Sequence, residues 1–123
     1  ATFYQKGASI GSSTGFDISK QDLYSDGDFF GVEKTSTGYY LIASNGNVAS
    51  KKLVNFEQDN NEMIVDLQLI VYFDGKVILS SGNESLNGKV DSVDGYFAIK
   101  TLELASSSMT GAYVDDFSFI YYK

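Results

Sequence analysis

The feature that most constrains the fold of this chain is its regular alternation of short apolar runs with turns that contain glycine. Turn residues recur about every ten positions, and the runs between them are rich in Tyr, Phe, Val and Ile, which favour strands. No long stretch places apolar residues at helical spacing. The 123 residues suit one core. The pattern predicts an all-β antiparallel β-sandwich, with jelly-roll connectivity, as a single domain over residues 1–123.

Two dipeptides mark the strongest predicted hairpins. Asn45-Gly46 and Asp74-Gly75 each lie between apolar runs, and both pairs readily adopt the positive φ angles of tight hairpin turns. Around them we predict about eight to ten short strands. The predicted strands are residues 1–6, 16–18, 28–34, 38–44, 47–56, 62–73, 76–81, 87–93, 95–104 and 112–122.

The composition excludes several functions. The chain has no Cys and no His, so catalysis by a Ser-His-Asp or Cys-His arrangement is impossible. It has no Arg, and its net charge of -7 is opposite to the basic field of a nucleic-acid-binding surface. No apolar run approaches the ~20 residues of a membrane-spanning helix, so no membrane insertion is expected. We expect a protein that is not an enzyme.

The predicted strand over residues 62–73 has two distinct faces. Alternate positions place six apolar side chains on a core face: Met63, Val65, Leu67, Leu69, Val71 and Phe73. The other face mixes isoleucines with Asp66, Gln68 and Tyr72. Such a face is compatible with a shallow sugar-binding groove and equally with a plain solvated sheet surface.

Adjacent aromatic residues suggest a ligand platform. Neighbours in a strand point to opposite faces, so one ring of each pair is expected to face outward. Phe is the better core residue of each pair, which leaves Tyr4, Tyr72, Tyr96 and one of Tyr39 and Tyr40 exposed. By parity, the faces of Tyr72 and Tyr96 also carry three hydrogen-bonding groups, Asp66, Gln68 and Lys100. Exposed tyrosine rings can stack on sugars, although they are also ordinary in cross-strand packing.

The closing strand carries the adjacent acids Asp115 and Asp116 in an apolar setting. If Phe117 and Phe119 belong to the core, parity points Asp115 inward and Asp116 outward. A buried carboxylate needs a partner, which a calcium ion, a lysine or backbone N–H groups could supply. Capping of a loop by hydrogen bonds and binding of a metal both remain open for this acid.

Two segments carry a family resemblance. YVDDFSF (113–119) resembles the closing strand of carbohydrate-binding modules and of laminin-G-like or concanavalin-like domains. LIVYFDGKVIL (69–79) is similar to a hairpin of laminin-G-like domains, in which a strand runs into Asp-Gly-Lys and returns. The resemblance implies a non-catalytic, sugar-binding β-sandwich. It also implies a structural calcium ion bound by Asp115 or Asp116.

We therefore expect a carbohydrate-binding module, excised from a larger multidomain protein such as a secreted enzyme, an adhesin or a phage tail protein. Its partner would be a neutral oligosaccharide or cell-surface polysaccharide, because the net charge of -7 disfavours anionic glycans. The expected location is extracellular, at a cell surface or on a virion. The alternative is a structural or host-recognition domain of a phage tail, baseplate or fibre.

Overall fold

The described part of the chain is built from strands. The structure, a computed structural model, describes residues 1–6, 9–19, 27–44, 48–52, 57–59, 62–90, 96–102 and 111–115. Regular structure in these residues is entirely β, in three antiparallel sheets. The strands are β1 (Thr2–Lys6), β2 (Ser13–Ser19), β3 (Asp28–Thr35), β4 (Gly38–Ser44), β5 (Val48–Lys52), β6 (Glu57–Asp59), β7 (Glu62–Asp66), β8 (Gln68–Val71), β9 (Lys76–Ser81), β10 (Glu84–Lys89), β11 (Tyr96–Leu102) and β12 (Gly111–Asp115).

The five-stranded sheet has the order β11-β2-β3-β4-β5. A two-residue turn joins β3 to β4, because Thr35, which was predicted to lie in the connection after a strand over 28–34, already pairs with Gly38. Alternation along β2, β3 and β4 buries Phe16, Phe30 and Leu41 on one side of this sheet. The predicted short strand at 16–18 is longer than expected, because Ser13 already pairs with Glu33.

The four-stranded sheet has the order β12-β1-β7-β6. In its two inner strands Phe3, Met63 and Val65 are buried and face the same core. Gln5 lies on this face of β1 and is only 2% exposed. Within the part of the chain that the structure describes, its Nε2 has no hydrogen-bond partner.

The predicted single strand over 62–73 is wrong in one respect, because the structure divides it at Leu67. β7 belongs to the four-stranded sheet, whereas β8 belongs to the three-stranded sheet of order β10-β9-β8. Leu67 is fully buried at the junction and its N–H donates to the Ala1 carbonyl at 2.8 Å. The predicted core face holds as far as Leu69, but Val71 and Phe73 are 38% and 68% exposed.

All three sheets contribute to one hydrophobic core. Phe3 of the four-stranded sheet meets Phe16 of the five-stranded sheet edge-to-face, with ring centroids 5.3 Å apart. Val77 and Leu79 of the three-stranded sheet are fully buried in the same cluster. The sheets thus enclose a shared core, as in a β-sandwich, and the all-β antiparallel prediction is confirmed. Jelly-roll connectivity stays a prediction.

The two hairpin signals have different outcomes. Asp74-Gly75 does join β8 to β9. Asn45-Gly46 lies outside the described residues, although the strands that flank it pair antiparallel from Ser44 to Val48. Another hairpin, between Ser81 and Glu84, was not predicted, and β10 therefore starts before the predicted strand at 87–93.

Candidate functional site

The outer side of the three-stranded sheet carries the residues that best fit the predicted site. We call it the open face. It consists of side chains from β8, β9 and β10 that point away from the core, together with Tyr72. Its members stand in three cross-strand rows: Gln68–Ser80–Ser85, Ile70–Ile78–Asn87 and Tyr72–Lys76–Lys89.

The turn after β8 sets the position of Tyr72. The Tyr72 N–H donates to the Lys76 carbonyl at 2.8 Å, and the Gly75 N–H donates back to the Tyr72 carbonyl at 2.9 Å. Gly75 has φ +91°, and a Cβ there would stand 2.4 Å from the Val90 carbonyl oxygen. Asp74 Oδ1 accepts from the Lys76 N–H at 3.0 Å, as turn aspartates do. The hairpin therefore requires glycine at position 75, and the Asp74 side chain stabilises the turn.

Tyr72 presents its ring at one end of the open face. The residue is 44% exposed, and Lys76 Nζ lies 5.9 Å from the ring centroid, within cation–π range. In the next strand Lys89 pairs directly with Lys76. An exposed aromatic ring beside cationic and hydrogen-bonding groups can accept an amphipathic ligand such as a sugar.

Gln68 and Asp66 are also exposed, in agreement with the expected alternation. Gln68 lies on the open face, two positions before Ile70. Asp66 ends β7 and therefore lies on the neighbouring sheet; its Oδ1 is 3.6 Å from the Ala1 nitrogen. The structure thus brings Gln68 and Tyr72 onto one face and places Asp66 just beyond it.

The two tyrosines of β4 have opposite environments. Tyr39 is 6% exposed and belongs to the core, where burial raises the pKa of its phenol. Tyr40 is half-buried, and its hydroxyl lies 2.8 Å from Thr37 Oγ1. Tyr39 therefore does not belong to a surface site, and Tyr40 belongs to a different sheet from Tyr72.

Tyr96 and Lys100 lie on β11, in the five-stranded sheet. Their backbones pair with Ser19 and Gly15. Their side chains lie outside the described part of the structure. These two residues therefore lie on a different sheet from Tyr72, and their part in a ligand site stays a prediction.

The inward orientation predicted for Asp115 is also wrong. In β12 it is Val114 that stands opposite the buried Phe3 and packs against the core. Asp115 stands opposite Thr2 and is exposed. Asp116 lies outside the described residues. Over the ranges given above, the structure shows no group of three or more acids, His or Cys that could hold a metal ion. Calcium binding stays a prediction.

Sequence reasoning missed several members of the site. Ile70 was seen only as part of a mixed face, and Lys76, Ser80, Ser85 and Asn87 were not considered as site residues. Two-residue alternation alone can predict that these side chains point outward. Placing them in rows with Gln68 and Tyr72 also requires the register that the Ser81–Glu84 hairpin imposes. The buried Asp17, whose carboxylate accepts from the Gly27 N–H at 3.2 Å, carries no sequence signal of its burial.

Comparison with protein-family models, with curated proteins and with solved structures finds no match to this chain. No helix long and apolar enough to span a membrane occurs in the described residues.

Proposed function

We propose that this chain is a non-catalytic carbohydrate-recognition domain that binds a glycan on the open face. The observation that carries the proposal is the 44% exposed Tyr72 on the same face as Gln68. A tyrosine offers a flat apolar ring for the C–H side of a sugar, and an amide offers both donors and acceptors for sugar hydroxyls.

The geometry of the face supports this assignment. Ile70 is 47% exposed and stands opposite the half-buried Ile78, so an apolar strip lies between the Tyr72 row and the polar Gln68 row. Ser80 and Ser85 extend the polar row across the other two strands. An open face of this kind suits a ligand that lies along the surface, because its exposed residues stand in rows across three strands.

The test is a glycan-array and polysaccharide-binding screen of the intact chain, run once with calcium and once with EDTA. We expect binding that Tyr72→Ala weakens about fivefold or more, as for a central aromatic contact. Tyr40→Ala removes a half-exposed ring from another sheet and is the matched control. A folded protein that binds no glycan in either condition contradicts the proposal.

The same screen tests the calcium prediction. Binding that is lost in EDTA and restored by calcium supports a metal site, with Asp115 or Asp116 as candidate ligands. Asp115→Asn and Asp116→Asn, measured separately, then show which carboxylate is needed. Binding that is unaffected by EDTA speaks against a metal that supports the ligand site.

A second candidate function is a structural or host-recognition role in a phage tail, baseplate or fibre. The observation that favours it is the apolar end of β8, where four large side chains are exposed on the two sides of the strand: Ile70, Val71, Tyr72 and the 68% exposed Phe73. Large exposed apolar patches often mark protein interfaces. Light scattering after gel filtration separates the candidates: we expect a monomer for a binding module and a stable trimer for a fibre component. In the latter case Phe73→Ser should dissociate the trimer.

A further inference from the structure

The most unusual pairing on the open face is that of two lysines. Lys76 of β9 and Lys89 of β10 stand directly opposite each other, and both side chains are exposed. Like charges in directly opposed positions destabilise a sheet. The two lysines bring two positive charges to one cross-strand row, in a chain whose net charge is -7. Such a row offers two cationic hydrogen-bond donors to an anionic group.

The lysine pair adjoins the aromatic ring of the site. Lys76 Nζ lies 5.9 Å from the Tyr72 ring centroid. The Lys89 side chain leans toward the same hairpin, since its Cε is 3.9 Å from the position that a Cβ on Gly75 would occupy. A ligand placed on the Tyr72 ring would therefore meet two cationic side chains at one end.

One acid also belongs to this hairpin. Asp74 is exposed, and its Oδ1 accepts the Lys76 backbone N–H at 3.0 Å. Its charge opposes that of the lysine pair for an anionic ligand. The rows further along the open face contain neutral groups, namely the isoleucines and the Gln68–Ser80–Ser85 row.

We propose that the open face selects a glycan with an acidic sugar at its Tyr72 end. The sugar carboxylate would lie between Lys76 and Lys89, its ring on Tyr72, and the uncharged remainder of the glycan along the neutral rows. The overall charge still repels polyanions, so the ligand is a mostly neutral glycan with an isolated acid. This inference rests on the proposed carbohydrate recognition and adds the class of sugar.

The test uses small probes, so that it does not depend on knowing the glycan. The intact chain is titrated with glucuronate, methyl glucoside, glucose 6-sulfate and acetate, and backbone resonances are followed by NMR. We expect glucuronate to shift the signals of Tyr72, Lys76 and Lys89 at millimolar concentration. Methyl glucoside should shift them several-fold more weakly.

Substitutions test both the direction and the magnitude of the effect on glucuronate binding. The double variant Lys76→Gln/Lys89→Gln should weaken glucuronate binding about fivefold or more, since each exposed charge contact has a modest effect. Asp74→Asn should strengthen it by about twofold, and asparagine retains the turn. Lys34→Gln, in the five-stranded sheet, removes one lysine away from the open face and is the control for loss of net charge.

Glucuronate binding should also depend on salt concentration, because the lysines attract the carboxylate electrostatically. Raising the ionic strength from about 0.01 M to about 0.15 M shortens the Debye length from about 30 Å to about 8 Å. Glucuronate binding should weaken accordingly, whereas any binding of methyl glucoside should hardly change.

Several outcomes would overturn the inference. One is the absence of any glucuronate shift at the three residues. Another is an equal shift with acetate or glucose 6-sulfate, which would indicate a general anion site. If a neutral glycan from the array binds through Tyr72 while glucuronate fails, carbohydrate recognition stands and the acidic-sugar inference falls. If neither binds, both proposals fail.

Discussion

The five-stranded and three-stranded sheets share one core but differ on their other sides. Strands β2 and β3 of the five-stranded sheet are also buried in part on the side away from the core, where Asp17 is 3% exposed and Gly31 is buried under the Phe29 ring. The three-stranded sheet leaves Tyr72 and Ile70 accessible on its outer side. One sheet therefore contributes mainly stability and the other offers a surface. Substitutions in the two sheets should consequently separate folding from binding.

The largest contrast should come from truncating one apolar side chain in each sheet. Phe30 is fully buried, and Phe30→Ala should lower the free energy of unfolding by about 3–5 kcal/mol. Ile70→Ala, on the open face, should change it by about 1 kcal/mol or less. Urea unfolding followed by circular dichroism measures both. Equal losses would contradict the division of roles.

A second contrast concerns the room for a side chain at two glycines, Gly31 and Gly82. A Cβ at Gly31 would stand 2.3 Å from the Thr14 carbonyl oxygen and 2.7 Å from Phe29 Cζ. Gly31→Ala should therefore cost about 1–3 kcal/mol through overpacking. Gly82→Ala is the comparison: this turn glycine has φ +58° but nothing within 4 Å, so only backbone strain of about 1 kcal/mol applies. If Gly31→Ala lowers the free energy of unfolding less than Gly82→Ala does, the strands around Gly31 can shift to admit a Cβ, which contradicts the predicted overpacking.

The same substitution should affect stability differently in two sheets. Gln5 is buried with an unpartnered Nε2 among the described residues, so Gln5→Leu should raise the free energy of unfolding by about 1–2 kcal/mol. Gln68→Leu, on the open face, should stay within about 0.5 kcal/mol of the parent. Thermal melting of the two variants tests the pair. A loss of stability in Gln5→Leu would indicate that the amide has a partner in solution.

The smallest effect should appear only at alkaline pH. Burial raises the pKa of the Tyr39 phenol above its ordinary value of about 10. The folded protein then holds a proton that the unfolded chain releases, so this group's stabilising contribution is complete below about pH 10 and declines as pH rises further. Stability should thus fall more steeply for the parent than for Tyr39→Phe. If the difference in free energy of unfolding between the parent and Tyr39→Phe stays constant above about pH 10, the raised pKa of Tyr39 is contradicted.

Sequence patterns predicted the inside and outside of strands better than their grouping into sheets. Asp66, Leu67 and Gln68 keep the expected alternation although the chain passes there from one sheet to another. Alternation depends only on the pleat of the strand and carries no information about which strand it pairs with. The division at Leu67 was therefore not predictable from the period, nor was the exposure of Phe73 beyond the edge of the core.

The orientation of Asp115 shows what a single strand cannot reveal. Its face was inferred from later aromatic residues, whereas the register with β1 sets Val114 opposite the buried Phe3. Tyr39 and Tyr40 posed the same problem, because both are large and aromatic. Choosing between the two faces requires cross-strand neighbours, which depend on contacts distant in sequence.

The lysine pair was missed for a related reason. Lys76 and Lys89 become neighbours only through the hairpin that pairs Ser81 with Glu84. The strand predicted over residues 87–93 begins three residues after the start of β10, so the two lysines were not predicted to be cross-strand neighbours. A shift of register changes every cross-strand neighbour, so charge pairing is among the last features that sequence alone can predict.

The turn at Gly82 and Asn83 has a practical consequence. It lies at the opposite end of the β9–β10 hairpin from Lys76 and Lys89, and Asn83 is exposed. The chain contains no cysteine, so Asn83→Cys would introduce a unique thiol. Coupling through that sulfur would tether every molecule to a sensor chip in one orientation, with the Tyr72 end of the sheet directed toward the solution.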